Sequence, residues 1–208
     1  MKTFKKYRKY LILVVLLIMF LGGIGIIQNA IDQKSGFEDE SVVKVEQNKD
    51  KEKTKVETVE VLKSPVNDSI GIVRYFYNVD DDASKQEQSL ILFEDVYRPN
   101  LGVDYADSNK NFDVFAAMSG TVTKKTNDPV LGWIVTVTNE DKLSTTYQSL
   151  SKVNVELNKK VKQGDKIGVS GTNIYEADLK NHLHFIVEKN EKILNPEKYI
   201  GKEINTIK

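Results

Sequence analysis

Residues 133–150 read WIVTVTNEDKLSTTYQSL, two runs of β-branched and aromatic residues around Asn139-Glu140-Asp141-Lys142. Alternation at a period of two on both sides of a short polar tetrad predicts an antiparallel hairpin. The same alternation recurs on either side. It predicts strands at Gly71–Tyr77, Ser89–Phe93, Gly102–Tyr105, Gly120–Lys124, Trp133–Thr138, Leu143–Leu150, Lys166–Val169 and His182–Glu188. Gly164-Asp165 and Lys189-Asn190 suit tight turns, and a helical turn fits near Asp82–Gln88 with Asp or Ser as its cap. Few segments carry a helical apolar stripe, so residues 61–208 are expected to form an all-β, mostly antiparallel domain without internal repeats.

The amino terminus reads differently. Residues 10–31 (YLILVVLLIMFLGGIGIIQNAI) contain no charge, which is long enough to cross a bilayer core of about 30 Å. Residues 1–31 carry Lys2, Lys5, Lys6, Arg8 and Lys9 and no acid, and the rest of the chain carries a balance of −5. The positive-inside bias keeps residues 1–9 in the cytoplasm and sends the remainder outside. A cleaved signal peptide is the competing reading. Its apolar region is shorter, and Gln28-Asn29-Ala30 lacks the small first residue of a cleavage site. Residues 32–60, rich in Lys, Glu, Asp and Gln, cannot bury enough surface to order themselves and read as a charged stalk. The acidic remainder lacks the clustered Lys and Arg that nucleic-acid phosphates demand, which excludes that class of partner. With no cysteine there is neither a disulfide framework nor a thiolate zinc site.

The chain has two histidines, His182 and His184. Two apart on a strand, they project from one face, with Leu183 and Phe185 on the other. Such a pair can hold a metal or divide the roles of ligand and base; it can also be two histidines on a half-exposed strand. The fragment NHLHF, preceded by VKQGDKIGVSGT and followed by NPEKY, resembles the lysostaphin- or LytM-type zinc endopeptidases. That resemblance implies a β-sandwich or half-open barrel. It also implies a zinc held by the His and Asp of a His-x-Gly-x-Asp segment and by the second His of His-x-His. The first His of that pair, with the His of a Tyr-x-His-Leu segment, handles the activated water.

Mapped onto those motifs, Asp104, His182 and His184 are retained. Asn100 stands at the first ligand position (Asn100-Leu101-Gly102-Val103-Asp104), and Ser149 stands at the catalytic position (Tyr147-Gln148-Ser149-Leu150). Two ligands fall short of the three that a catalytic zinc normally takes, and Ser149 cannot act as an imidazole does. The resemblance therefore implies a pseudoenzyme with no metal expected. Asp104 is expected at a strand end and Asn100 in a turn after Pro99, both in structural roles.

The strings YRPNLGVDY, FDVFAAMSGTVTK, NDPVLGWIVTV, TYQSL and VKQGDKIG further resemble the stage II sporulation protein Q family of endospore-forming bacteria. What that implies is a single-pass forespore membrane protein, its domain between forespore and mother cell. Its implied partner is stage III sporulation protein AH of the mother cell, in an adhesion or channel complex. An active zinc-dependent cell-wall endopeptidase and a module that binds peptidoglycan or regulates hydrolases are the alternatives. The partner-binding residues are not readable from the sequence.

Overall fold

The computed structural model describes residues 59–208. The expected cytoplasmic tail, transmembrane helix and all but the last residues of the stalk lie outside them. No helix among the described residues is long and apolar enough to cross a membrane.

The hairpin at 133–150 lies at the centre. Strands β1 (Gly71–Arg74), β2 (Leu90–Phe93), β3 (Val96–Pro99), β4 (Val103–Ala106), β5 (Asp113–Phe115) and β6 (Gly120–Asp128) precede it. The hairpin strands are β7 (Gly132–Thr138) and β8 (Leu143–Val153), followed by β9 (Lys160–Val161), β10 (Lys166–Ser170), β11 (Leu183–Lys189) and β12 (Lys192–Leu194). The main sheet runs β1-β4-β11-β8-β7-β6-β9, with β12 on β11 and the β5–β10 pair on the far end of β8. Strands β2 and β3 form a separate hairpin. Every strand pairing among the described residues is antiparallel, as expected from the alternation.

Period two sorts the side chains. Val135, Val137, Leu143 and Tyr147 are buried in the core with Val103, Phe185 and Val187. On the opposite face hydroxyls meet across the strands: Thr136 with Thr146 at 2.9 Å, and Thr138 with Thr123 and Ser144, each at 2.9 Å. Cross-strand pairs of this kind set the register. Tyr147 is fully buried, and its hydroxyl accepts from the Ala117 N–H at 2.8 Å and meets Thr145 Oγ1 at 3.0 Å.

Strand β8 changes partners along its length. Residues 143–148 pair with β11, and Leu150, Lys152 and Val153 pair with β10. The bend falls at Ser149, whose φ of +62° is left-handed, a conformation that costs a non-glycine residue energy. The short helix α1 (Ala83–Gln88) is capped by Asp82, whose side chain accepts from the Lys85 N–H at 3.0 Å. Helix α2 (Pro196–Tyr199) follows the Asn195 cap, with proline in its first turn.

The two ends of the described chain are clasped. Val61 bridges Glu203, Leu62 N donates to Lys202 O at 2.9 Å, and Gly201 N donates to Leu62 O at 2.7 Å. Leu62, Ile204 and Ile207 are buried in the same core.

Candidate functional site

Three charged or ionisable residues and one amide form a row across the main sheet. Arg74 of β1 faces Asp104 of β4, Asp104 faces His184 of β11, and His184 faces Gln148 of β8. Behind the row, the segment after β10 brings Asn173 and Glu176 inward. Asp104 and His182 are 0% exposed, Glu176 is 1%, and Arg74 and His184 are 6% each. Charges removed from water to this extent persist where opposite charges and hydrogen bonds compensate them.

Those partners are present. Nδ1 of His184 lies 2.7 Å from Asp104 Oδ1 and 3.4 Å from Glu176 Oε1. Arg74 Nη1 lies 3.8 Å from Asp104 Oδ2 and 3.5 Å from Glu176 Oε1, while Nη2 donates to the half-exposed Asp178 carboxylate. Burial alone would push His184 down, but the carboxylates of Asp104 and Glu176 outweigh it and raise its pKa to about 10. Burial opposes ionisation of Glu176 as well, yet His184 and His182 hold its carboxyl below the usual range. Burial keeps Asp104 above that range while His184 pulls it down. The 2.7 Å contact between Asp104 and His184 is a hydrogen bond between the two groups.

Asn100 is fully buried. Its Nδ2 donates to Tyr75 O at 3.1 Å and to Asp104 Oδ2 at 3.0 Å, and its Oδ1 accepts from Gly102 N at 3.1 Å. The expected turn is present, since the Asn100 oxygen closes on the Gly102 N–H two residues on, and the same amide also reaches into the site through Asp104. Asp104, expected at a strand end in a structural role, lies within β4 at the centre of the charge row. Both side chains point inward, and their hydrogen bonds are made within the site.

Ser149 and His182 meet as well. Ser149 Oγ is 2.8 Å from His182 Nε2 and accepts from Asn173 Nδ2 at 2.5 Å. His182 Nδ1 donates to Lys180 O at 2.9 Å, and Nε2 is also 3.2 Å from Glu176 Oε2. The serine is fully buried, and both it and the carboxylate meet the same ring nitrogen. That is not the relay of a nucleophilic serine, in which the acid binds the other nitrogen.

The structure thus gathers Asn100, Asp104, Ser149, His182 and His184, and adds Arg74 and Glu176, which sequence reasoning missed. No spacing rule points to Glu176, six positions before His182. The signal for Arg74 was a cation inside the apolar run Gly71-Ile72-Val73-Arg74-Tyr75-Phe76, at a position that proves to be inward-facing. Asp104, Glu176 and His184 place one ligand atom each within 4.8 Å of one another, so the two candidate ligands counted from the sequence become three.

Zinc nevertheless does not fit the donors as arranged. Ligands about 2.0–2.2 Å from a tetrahedral zinc stand roughly 3.3 Å apart. The Asp104 Oδ1 to His184 Nδ1 distance of 2.7 Å is a hydrogen bond instead. The Asn100 oxygen is turned to Gly102, and a guanidinium borders both carboxylates.

Beside His184 opens a groove of about 510 Å³, lined in part by Ile91, Phe93, Leu101, Val130 and Tyr175. Tyr175 packs on Phe93 with ring centroids 5.1 Å apart, which joins the β2–β3 hairpin to the groove wall.

The model of Peptidase family M23 matches residues 98–196. A solved structure described as that of the SpoIIQ-SpoIIIAH pore forming complex contains a chain 41% identical to this one. The match has a TM-score of 0.69 and covers 72% of this chain and 96% of that one. The chain belongs to peptidase family M23, in its stage II sporulation protein Q branch. Stage II sporulation protein Q of Bacillus subtilis (strain 168) is 42% identical over 153 residues, which is 72% of this chain. The chain spans 54% of the length of that relative. A zinc-containing peptidase from Vibrio cholerae shares the M23 fold at 21% identity, with a TM-score of 0.53 over 65% of this chain and 39% of that one. The expected LytM/lysostaphin-type β architecture is therefore the observed one.

Proposed function

We propose that the chain is a non-enzymatic forespore membrane protein required for endospore formation. It binds a mother-cell membrane protein of the SpoIIIAH kind across the intermembrane space and so forms part of an adhesion or channel complex. The observation that carries this reading is the 41% identity sustained over 96% of a chain in a solved pore-forming complex. Topology follows the sequence: residues 1–9 inside, residues 10–31 in the membrane, and the stalk and M23 domain outside.

In this reading Asp104, His182 and His184 are remnants of the peptidase site, and Asn100 and Ser149 mark the two lost imidazoles. The absence of hydrolysis is supported by the paired, buried state of the retained groups. A general base or a metal-bound water needs access to substrate, and Ser149 and His182 are both 0% exposed.

The test is affinity purification of the full chain, anchor intact, from sporulating cells, together with direct binding to the SpoIIIAH-type protein of the same organism. Co-purification of that partner is expected. Retention on peptidoglycan with no partner recovered would favour a cell-wall-binding module. Release of peptides from peptidoglycan by the full chain with added zinc would sink the non-enzymatic reading.

A further inference from the structure

Two buried carboxylates from different elements, Asp104 and Glu176, converge at a point where this fold ordinarily places a metal. Something positive must compensate them. In this chain His184 approaches from one side and Arg74 from the other, each addressing both carboxylates. We propose that the Arg74 guanidinium is a built-in cation that takes the metal's part, and that its removal opens a transition-metal site made by Asp104, Glu176 and His184.

Three observations carry this. The first is register: Arg74 faces Asp104 across the β1–β4 ladder, so the strand pairing itself delivers a cation to the carboxylate. The second is burial without complete hydrogen bonding. Arg74 Nη1 and Glu176 Oε1 are buried, face each other at 3.5 Å, and have no hydrogen-bond partner. At that distance the two groups compensate each other as charges without forming a hydrogen bond. The third is anchoring. Nη2 is fixed to the Asp178 carboxylate and Asn100 Nδ2 to Asp104 Oδ2, so the arginine is held in place and one oxygen lone pair is occupied.

Arginine stays charged at every accessible pH and cannot dissociate as a metal can. A divalent ion brought to the same oxygens would stand against a like charge in a site of low dielectric. The cross-link that an ion would make between β4, β11 and the 173–179 segment is made here by the side chain of β1. It therefore holds without metal.

The experiment is zinc binding by the full chain, purified with its anchor. It uses metal analysis after dialysis and competition against a chromogenic chelator. Wild type is expected to retain no stoichiometric zinc. Arg74→Gln is expected to retain about one equivalent, with affinity raised at least about tenfold. Arg74→Lys keeps the charge and is expected to behave as wild type, and Arg74→Gln with Asp104→Asn is expected to lose the gained zinc. Should Arg74→Gln fail to fold alone, zinc is expected to restore its cooperative melt, because the ion then supplies the missing charge. Stoichiometric zinc in wild type, a folded Arg74→Gln without added affinity, or an unfolded Arg74→Gln that zinc does not rescue would each overturn the proposal. All three are independent of whether the partner protein binds.

Discussion

Asp104 Oδ1 stands 2.7 Å from Nδ1 of His184, the residue it faces across the β4–β11 ladder. The contact joins adjacent strands of the sheet by one charge-assisted hydrogen bond, and it has a consequence for stability against pH. The His184 pKa rises from 6.5 to about 10 on folding, so the folded state holds this proton more tightly than the unfolded chain does. The resulting stabilisation is fully present below about 6.5 and is lost as pH rises through about 10. The melting temperature is expected to fall between pH 7 and pH 10, and His184→Gln should flatten that slope. Thermal melts across the window check it; a level wild-type profile contradicts it.

Asn100 is fully buried and makes three hydrogen bonds. Asn100→Ala leaves Gly102 N–H and Tyr75 C=O without their partner. The expected loss is about 1–3 kcal/mol in urea unfolding. Asn100→Asp should cost more, because it removes the donor to Asp104 and sets a third carboxylate beside it.

Ser149 separates two effects that are usually confounded. Ser149→Ala removes the hydroxyl between His182 and Asn173 and keeps the left-handed backbone strain. Ser149→Gly removes the same hydroxyl and relieves the strain. Both variants are expected to be less stable than wild type, with glycine retaining about 1 kcal/mol more than alanine. Equal losses in denaturant titrations would mean that the bend at β8 carries no strain.

Tyr147→Phe tests the core's one buried phenol in β8. The ring stays, and the Ala117 N–H loses its acceptor at 2.8 Å. A loss of about 1–3 kcal/mol is expected, with no change in partner binding because the side chain is fully buried.

The central hairpin and six other strands were readable because alternation at a period of two reports which face is buried. What escaped was pairing carried by unusual turns. Strand β3 follows β2 through Glu94 and Asp95 at φ +50° and +59°. Acidic residues in the left-handed region give none of the Asn-Gly signal by which such turns are recognised. Likewise the expected turn at Lys189-Asn190 falls one residue early, since Asn190 and Glu191 hold the positive φ values and β12 follows them. The expected strand from Gly71 continued to Tyr77; pairing stops at Arg74, and Tyr77 N donates instead to Asn100 O at 2.8 Å.

The site divides along the same line. Asp104, His182 and His184 lie on or beside strands and could be placed by motif. Arg74 and Glu176 reach the site through sheet order and through an irregular segment, neither of which a linear pattern encodes. Adding them changes the chemistry, because an incomplete ligand set becomes a balanced set of ion pairs.

The clasp between residues 60–62 and 201–204 sets an order in time. Translation proceeds from the amino terminus, so Leu62 and the neighbouring Val66 emerge long before Ile204 and Ile207, which share their core. Until those late residues are made, the early ones lack part of their cover, and the domain's cooperative closure waits on the far end of its own sequence. Premature termination or a cut near Gly201 would thus undo far more than a tail: it would leave the start of the domain exposed to chaperones and proteases.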